Sequence, residues 1–278
     1  SVQSVTTYWW KYYFVSFFAI LVIDLIISTL SVNFPYFFII QIGLVFGLWY
    51  LISPLVMTVS FKMKRASQDL TSLVETISKE FNIKNPRVYV VNDNFLNAFA
   101  FGNIIFRGIA ITLPLIDALT QEELFAVLYH EIAHIKNYDP EIMISSMILI
   151  SSVYATLALY LPNVFLPLLL ILYFIIMFPL IFFIHRRIEK RADITAVKRN
   201  PHITFWLESA LVKIGFLSRS ISVNMLKYIP QFQIFLAKEF IMHNTIDQNG
   251  FWSFRTHPSL KERLEYLSEY EEQKTYYI

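Results

Sequence analysis

Four long apolar runs dominate the chain, at roughly 12–32, 36–59, 142–161 and 164–184. Each comes near the ~20 residues a helix needs to cross a hydrocarbon core, and each is apolar on every face, with Asp24 as the one charge. Four runs of bilayer length, apolar on all faces and carrying one charge between them, weigh against buried helices of a large soluble domain and predict four transmembrane helices. The connections at 33–35 and 162–163 are short and uncharged, whereas Lys62, Lys64 and Arg65 follow the second run and Arg186 and Arg187 follow the fourth. Cationic flanks of this kind stay in the cytoplasm. Because each pair of runs crosses and returns, segments 60–141 and 185–278 are expected on the same, cytoplasmic face, where they are free to share one site.

The rest of the chain changes period. Leu70, Leu73, Val74, Ile77 and Phe81 recur at helical spacing over 66–82, Asn85-Pro86 ends that helix, and 87–91 reads as a strand. Two further strands are predicted near 97–101 and 108–112, with turn chemistry at Gly102-Asn103 and Arg107-Gly108, which makes a small sheet. Thr120 and Glu123 form a capping box, so a helix should run from 121 to about 138. Asp139 is expected to cap the next helix, with Pro140 in its first position. Helices are also expected over 187–199, 202–216 and 259–270, while 217–258 has no clear pattern. The predicted fold class is α+β, mostly α: four transmembrane helices plus a water-facing domain with a small β-sheet. Two spans lie in 1–59, a first water-facing part in 60–141, two more spans in 142–184 and a second water-facing part in 185–278.

Composition narrows the chemistry. Hydrophobic residues make up 56% and charged residues 16% of the 278, which fits a membrane protein. A net charge of +2, with no basic stripe carrying interleaved aromatics, argues against a nucleic-acid partner. The absence of cysteine excludes disulfides and thiolate metal sites, so any zinc must take nitrogen and oxygen ligands. No Ala-x-Ala-like cleavage site follows the first apolar run, which therefore reads as a membrane anchor.

The candidate chemistry lies in His130-Glu131-Ile132-Ala133-His134. Residues i and i+4 of a helix lie one above the other, so both imidazoles reach one metal ion while Glu131 stands beside it. Three fixed positions are a modest signal, and two exposed histidines would be the plain alternative. The capped helix and the apolar flank of Leu124, Phe125, Val127, Leu128, Ile132 and Ile135 favour the site. A zinc hydrolase needs a third protein ligand. The metzincin continuation requires Gly and His where Asn137 and Pro140 stand, and Glu141 sits at the mouth of the third span. Glu189 is the better candidate, with Asp193 one turn on and able to hold a ligand histidine, and His185 at the bilayer edge is its rival.

Four motifs occur in the order of one family: Asn97-Ala98-Phe99-Ala100-Phe101-Gly102, the His130 to His134 motif, Glu189-x-x-Ala192-Asp193, and His257-Pro258-Ser259-Leu260-x-Glu262-Arg263. The chain resembles the HtpX-type membrane gluzincins, relatives of the prenyl-protein (CAAX) proteases, over most of its length from about residue 60. Four spans match the HtpX branch, since the CAAX branch has seven. Phe101 stands where the family often has Thr, and Ser259 where a second Pro is common; neither is a ligand position. The resemblance implies one zinc ion held by His130, His134 and Glu189, with Glu131 as general base and Asp193 behind a ligand histidine. It also places Asn97, His257 and Arg263 near the reacting groups, the latter two as candidate catalytic residues. The strand carrying Asn97, Ala98 and Phe99 could add a substrate peptide at its edge.

The expected function is zinc-dependent endoproteolysis of damaged or misassembled membrane proteins, a quality-control and stress-response role, with polypeptides and the lipid bilayer as partners. Cleavage of prenylated proteins is the runner-up. Asp24 and Gln41 in the first two spans motivate a transporter reading, but one acid and one amide make no relay. A non-catalytic scaffold leaves the complete set of chemical groups unexplained.

Overall fold

The computed structural model describes residues 5–30, 36–244 and 257–275. The predicted 33–35 connection and the part of the unassigned stretch at 245–256 lie outside these residues. The element order is α1 (Val5–Ser28), α2 (Phe37–Ser60), β1 (Lys64–Arg65), α3 (Gln68–Glu80), β2 (Arg87–Val91), β3 (Ala98–Gly102), β4 (Arg107–Thr112), α4 (Leu113–Ala118), α5 (Gln121–Lys136), α6 (Asp139–Tyr160), α7 (Leu166–Arg199), α8 (Thr204–Gly215), α9 (Val223–Leu226), α10 (Gln231–Asn244) and α11 (Leu260–Thr275). The chain is mostly helical, with one small mixed sheet.

Three of the four expected spans are helices long and apolar enough to cross a membrane: α2, α6 and the helix that includes α7, at mean hydropathy 2.0, 2.0 and 2.8. The described apolar part of α1, Phe14–Ser28, is shorter and rises only about 22 Å. It packs on α2 through a polar clasp, in which Gln41 Nε2 donates to Asp24 Oδ1 at 2.8 Å and to Ser28 Oγ at 2.9 Å. These polar groups of the first two apolar runs are thus spent on each other.

Where a span over 164–184 and a separate helix over 187–199 were expected, one 34-residue helix, α7, runs through. Nothing between Ile184 and Arg187 breaks it, and Pro179 is carried inside it. At 1.5 Å per residue it is about 51 Å long, well beyond the ~30 Å hydrocarbon thickness, so its C-terminal turns lie outside the bilayer.

The sheet has strand order β1-β2-β4-β3. β2 and β4 are parallel, whereas β1 on β2 and β3 on β4 are antiparallel. The two-residue β1 and the short α4 were not expected, being too brief to show a period. Alternation gives the sheet two faces. Val88, Ile109 and Ile111 face the large core shared by α3, α5, α7 and α8, while Tyr89, Val91, Phe99, Phe101 and Ala110 pack with Met57 and Phe61 at the end of α2. Ala98 and Ala100 lie on the α5 side, and their small side chains let that helix approach the strand.

The capping box on α5 forms as expected, with Thr120 Oγ1 accepting from the Glu123 amide and Glu123 accepting from the Thr120 amide. Glu123 is almost fully buried and also receives the Ser209 hydroxyl and the Lys213 ammonium from α8. The start of the metal-motif helix is thereby bolted to α8.

Candidate metal centre

α5 is buried almost throughout, and it presents His130, Glu131 and His134 with 5%, 7% and 8% of their surface exposed. α7 crosses it and brings Glu189, 5% exposed. The two imidazoles stand edge to face, with ring centroids 4.7 Å apart. His130 Nε2 lies 3.1 Å from His134 Nε2 and 3.0 Å from Glu189 Oε2, and His134 Nε2 lies 3.2 Å from Glu189 Oε1. A tetrahedral zinc with bonds near ~2.0 Å would set its ligands about 3.3 Å apart. The three side chains therefore fit a metal of that size with a few tenths of an ångström of expansion, and they form the one metal-holding cluster among the described residues.

Each imidazole is held from behind. His130 Nδ1 lies 2.7 Å from Asp193 Oδ1, somewhat off the ideal hydrogen-bond direction. Asp193 is fully buried and is gripped by Arg263, whose Nε and Nη2 donate to its two oxygens at 2.9 and 2.8 Å, and by the Tyr266 hydroxyl. Burial alone would raise the Asp193 carboxyl, but the Arg263 guanidinium and the His130 imidazole together outweigh it and hold the group well below the usual carboxylate range. Burial would likewise lower the His130 imidazole, but the Asp193 and Glu189 carboxylates together outweigh it and raise the ring to about 9.

His134 is held by a residue the sequence did not offer for this role. Asp139 Oδ2 lies 2.7 Å from His134 Nδ1, and Asp139 also receives Arg191 of α7. Asp139 was expected to cap α6. Instead Tyr138 takes the cap position in a left-handed conformation, at φ 58°, and Asp139 becomes the first helical residue with its carboxylate turned back to the histidine. The signal available was its place five residues after His134, where α5 ends. Nothing in the sequence pointed to Tyr266.

Glu131 sits beside the cluster, with Oε1 3.9 Å from His130 Nε2, and its Oε2 accepts the Ala100 amide at 3.0 Å. Burial raises its carboxyl above the usual range, the direction a general base near neutral pH needs. Ala100 belongs to β3, which is an edge strand. The Thr112 amide donates to the Asn97 carbonyl, and the Asn103 amide to the Phe106 carbonyl. By antiparallel alternation the odd residues of β3 turn their polar groups to β4, and Ala98, Ala100 and Gly102 turn theirs to the free edge.

Other expected residues are placed as follows. Phe99 is buried, its ring 6.0 Å from that of Phe61 on the far face of the sheet, so it does not line the cleft. Asn97 is half-buried and is fixed by its main chain to Thr112. His257 Nε2 approaches Glu189 Oε1 at 3.6 Å with its side chain about half exposed, as a group facing substrate would be. Arg263 is paired with Asp193, behind His130. His185 meets His257 edge to face, with ring centroids 5.6 Å apart, and stands outside the ligand cluster, and Glu141 is paired with Arg107.

Helices long and apolar enough for a bilayer, joined to a buried His-Glu-x-x-His helix with a distant glutamate, define the class of membrane metallopeptidases. The chain belongs to Peptidase family M48, which it matches over residues 64–271. The family implies a metal at this cluster. "Protease HtpX homolog" of Sulfurovum sp. is 30% identical over 219 residues, 71% of this chain and 74% of that protein. "Protease HtpX homolog 1" of Sulfurisphaera tokodaii is 48% identical over 71 residues, and that match spans 23% of its length. The crystal structure of S. mikatae Ste24p shares the fold at TM-score 0.57 and 19% identity, over 94% of this chain and 64% of that one.

Proposed function

We propose that the chain is a zinc-dependent endopeptidase that cleaves polypeptides at the membrane surface. The observation that carries this reading is the convergence of two imidazoles and one carboxylate at 3.0–3.2 Å, with the Glu131 carboxylate beside them at the end of a free strand edge. Zinc held by His130, His134 and Glu189 would supply a Lewis acid that polarises a peptide carbonyl and acidifies a water. Glu131 takes the proton of that water and returns it to the departing amine. The outward groups of Ala98 and the Ala100 carbonyl pair with an extended substrate and lay its backbone across the cleft, the Ala100 amide being held by Glu131. His257 offers an imidazole to the polarised carbonyl oxygen. Arg263 keeps Asp193 ionised, and Asp193 holds His130.

The α1 helix completes a fourth span in this reading, and the basic residues Lys62, Lys64, Arg65, Arg186 and Arg187 support a site on the cytoplasmic side. An edge that reads backbone rather than side chains suits broad cleavage, which supports a quality-control role on damaged membrane proteins.

The test is Glu131→Gln in purified full-length protein, with bound zinc and casein cleavage both measured. The variant should keep one zinc per chain and lose cleavage by ~1000-fold or more. A parent protein without zinc, or a variant that still cleaves, ends the reading. Asn97→Ala should reduce cleavage without releasing zinc.

A further inference from the structure

The turn between β3 and β4 is built unlike a water-facing turn. It reads Gly102-Asn103-Ile104-Ile105-Phe106, and Ile104 and Ile105 are 62% and 78% exposed. Solvent-facing turns favour small polar residues. Here all four successive amides are satisfied inside the protein. The Asn103 amide donates to the Phe106 carbonyl at 2.7 Å, that of Ile104 to the Tyr50 hydroxyl at 2.7 Å, and those of Ile105 and Phe106 to Asn103 Oδ1 at 2.9 and 2.8 Å. With its four amides paired internally, the turn's backbone can come to the bilayer interface at a lower desolvation cost than an unpaired turn.

Its anchorage points to the same medium. Asn103 Nδ2 donates to the Leu51 carbonyl of α2 at 2.9 Å, next to the Tyr50 contact. On the outer side of α2, Leu51, Leu55 and Val59 form an exposed apolar stripe, at 47%, 68% and 68%. That stripe continues eight residues, about 12 Å, past the level at which the turn meets the helix. The turn's charges sit at its base, where Arg107 pairs with Glu141 at the start of α6 and leaves the tip wholly apolar.

We propose that the Asn103–Phe106 turn is a membrane anchor whose Ile104 and Ile105 side chains enter the hydrocarbon beside α2. The anchor fixes the height of the β3 edge above the bilayer. Ala100, whose amide meets Glu131, lies four residues before Ile104, about 13 Å along an extended strand. Because the apolar stripe of α2 reaches about 12 Å past the turn, the Ala100 end of this edge stands at the bilayer surface, and on the peptidase reading above a substrate segment leaving the bilayer along it is cut close to where it emerges. The substrate class is then a membrane-anchored polypeptide with an extended juxtamembrane stretch.

The chain has no cysteine, so single cysteines report cleanly. Ile105→Cys, Leu55→Cys and Lys84→Cys are spin-labelled in full-length protein in phosphatidylcholine–phosphatidylglycerol vesicles, and collisions with oxygen and with an aqueous nickel complex are compared. The label at 105 should match the one on lipid-facing position 55. A match to exposed, water-facing position 84 overturns the anchor, whatever the protein cleaves. Exchanging Ile104 and Ile105 together for Asp should then lower cleavage of a substrate tethered by a transmembrane segment about tenfold while casein cleavage persists. An equal fall on both substrates, or no fall on the tethered one, overturns the height-setting role. If the parent cleaves neither substrate, the peptidase reading has failed, and the labels still decide the anchor.

Discussion

Asp139→Ala should weaken zinc binding by about 10–100-fold while leaving the protein folded. The carboxylate lies 2.7 Å from His134 Nδ1, and its residue is 3% exposed. Removing it leaves a buried donor without an acceptor, which costs ~1–3 kcal/mol and falls on the metal-bound orientation of the ring. Arg191, its other partner, has a side chain 47% exposed and returns to water at little cost. Asp139→Asn keeps an acceptor oxygen and should stay within about tenfold of the parent. The contrast is Asp193→Ala, which strands the buried guanidinium of Arg263 and should cost ~3–5 kcal/mol of fold stability as well. Zinc affinity is read by competition with a chromophoric chelator, and thermal unfolding is followed on the same samples. If Asp139→Ala binds zinc as tightly as the parent, or if the Asn variant is as weak as the Ala variant, Asp139 does not orient the ligand.

Protons compete with the metal at His130, whose imidazole is raised to about 9 in the metal-free protein, so each unit of pH below that should weaken zinc binding about tenfold per proton displaced. Zinc affinity at pH 6 should thus be at least about 100-fold below that at pH 8, since His134 is also held well above its ordinary value and gives up a proton too, and a flat profile in a metal-buffered titration would refute the assignment. Gly102→Ala should disturb the β3–β4 turn, because φ is +130° there and an added Cβ would lie 2.0 Å from the Phe106 carbonyl oxygen. The strain should cost ~1–3 kcal/mol, read as an earlier thermal transition. Lys213→Met leaves Glu123 as an unpaired buried charge at the start of α5, at a cost of ~3–5 kcal/mol, and adding Glu123→Gln should recover much of the loss in the same melts.

Several features of the fold and site were legible in one dimension. Apolar runs of bilayer length gave the membrane helices, because a helix in hydrocarbon must be apolar on every face. The capping box placed the start of α5, and i, i+4 spacing put both histidines on one face, since both rules act within a few turns of chain. An even number of crossings between His130 and Glu189 made a shared site on one face of the membrane possible.

Other features depended on packing between distant segments. Asp139 looked like a helix cap and became the partner of His134, because the left-handed Tyr138 moved the helix start back by one residue. Arg263 looked like a group facing substrate and is held by Asp193, 70 positions away in the chain. Phe99 shares a strand with Ala98 and Ala100, yet its ring lies on the opposite face, and only the pairing of β3 with β4 decides which amides remain free. The sequence by itself determined which groups were available and which of them share a helix face, because helix period and motif spacing are local rules. The tertiary structure decided which carboxylate holds which imidazole and which strand edge is open, because those outcomes depend on contacts that no local rule specifies.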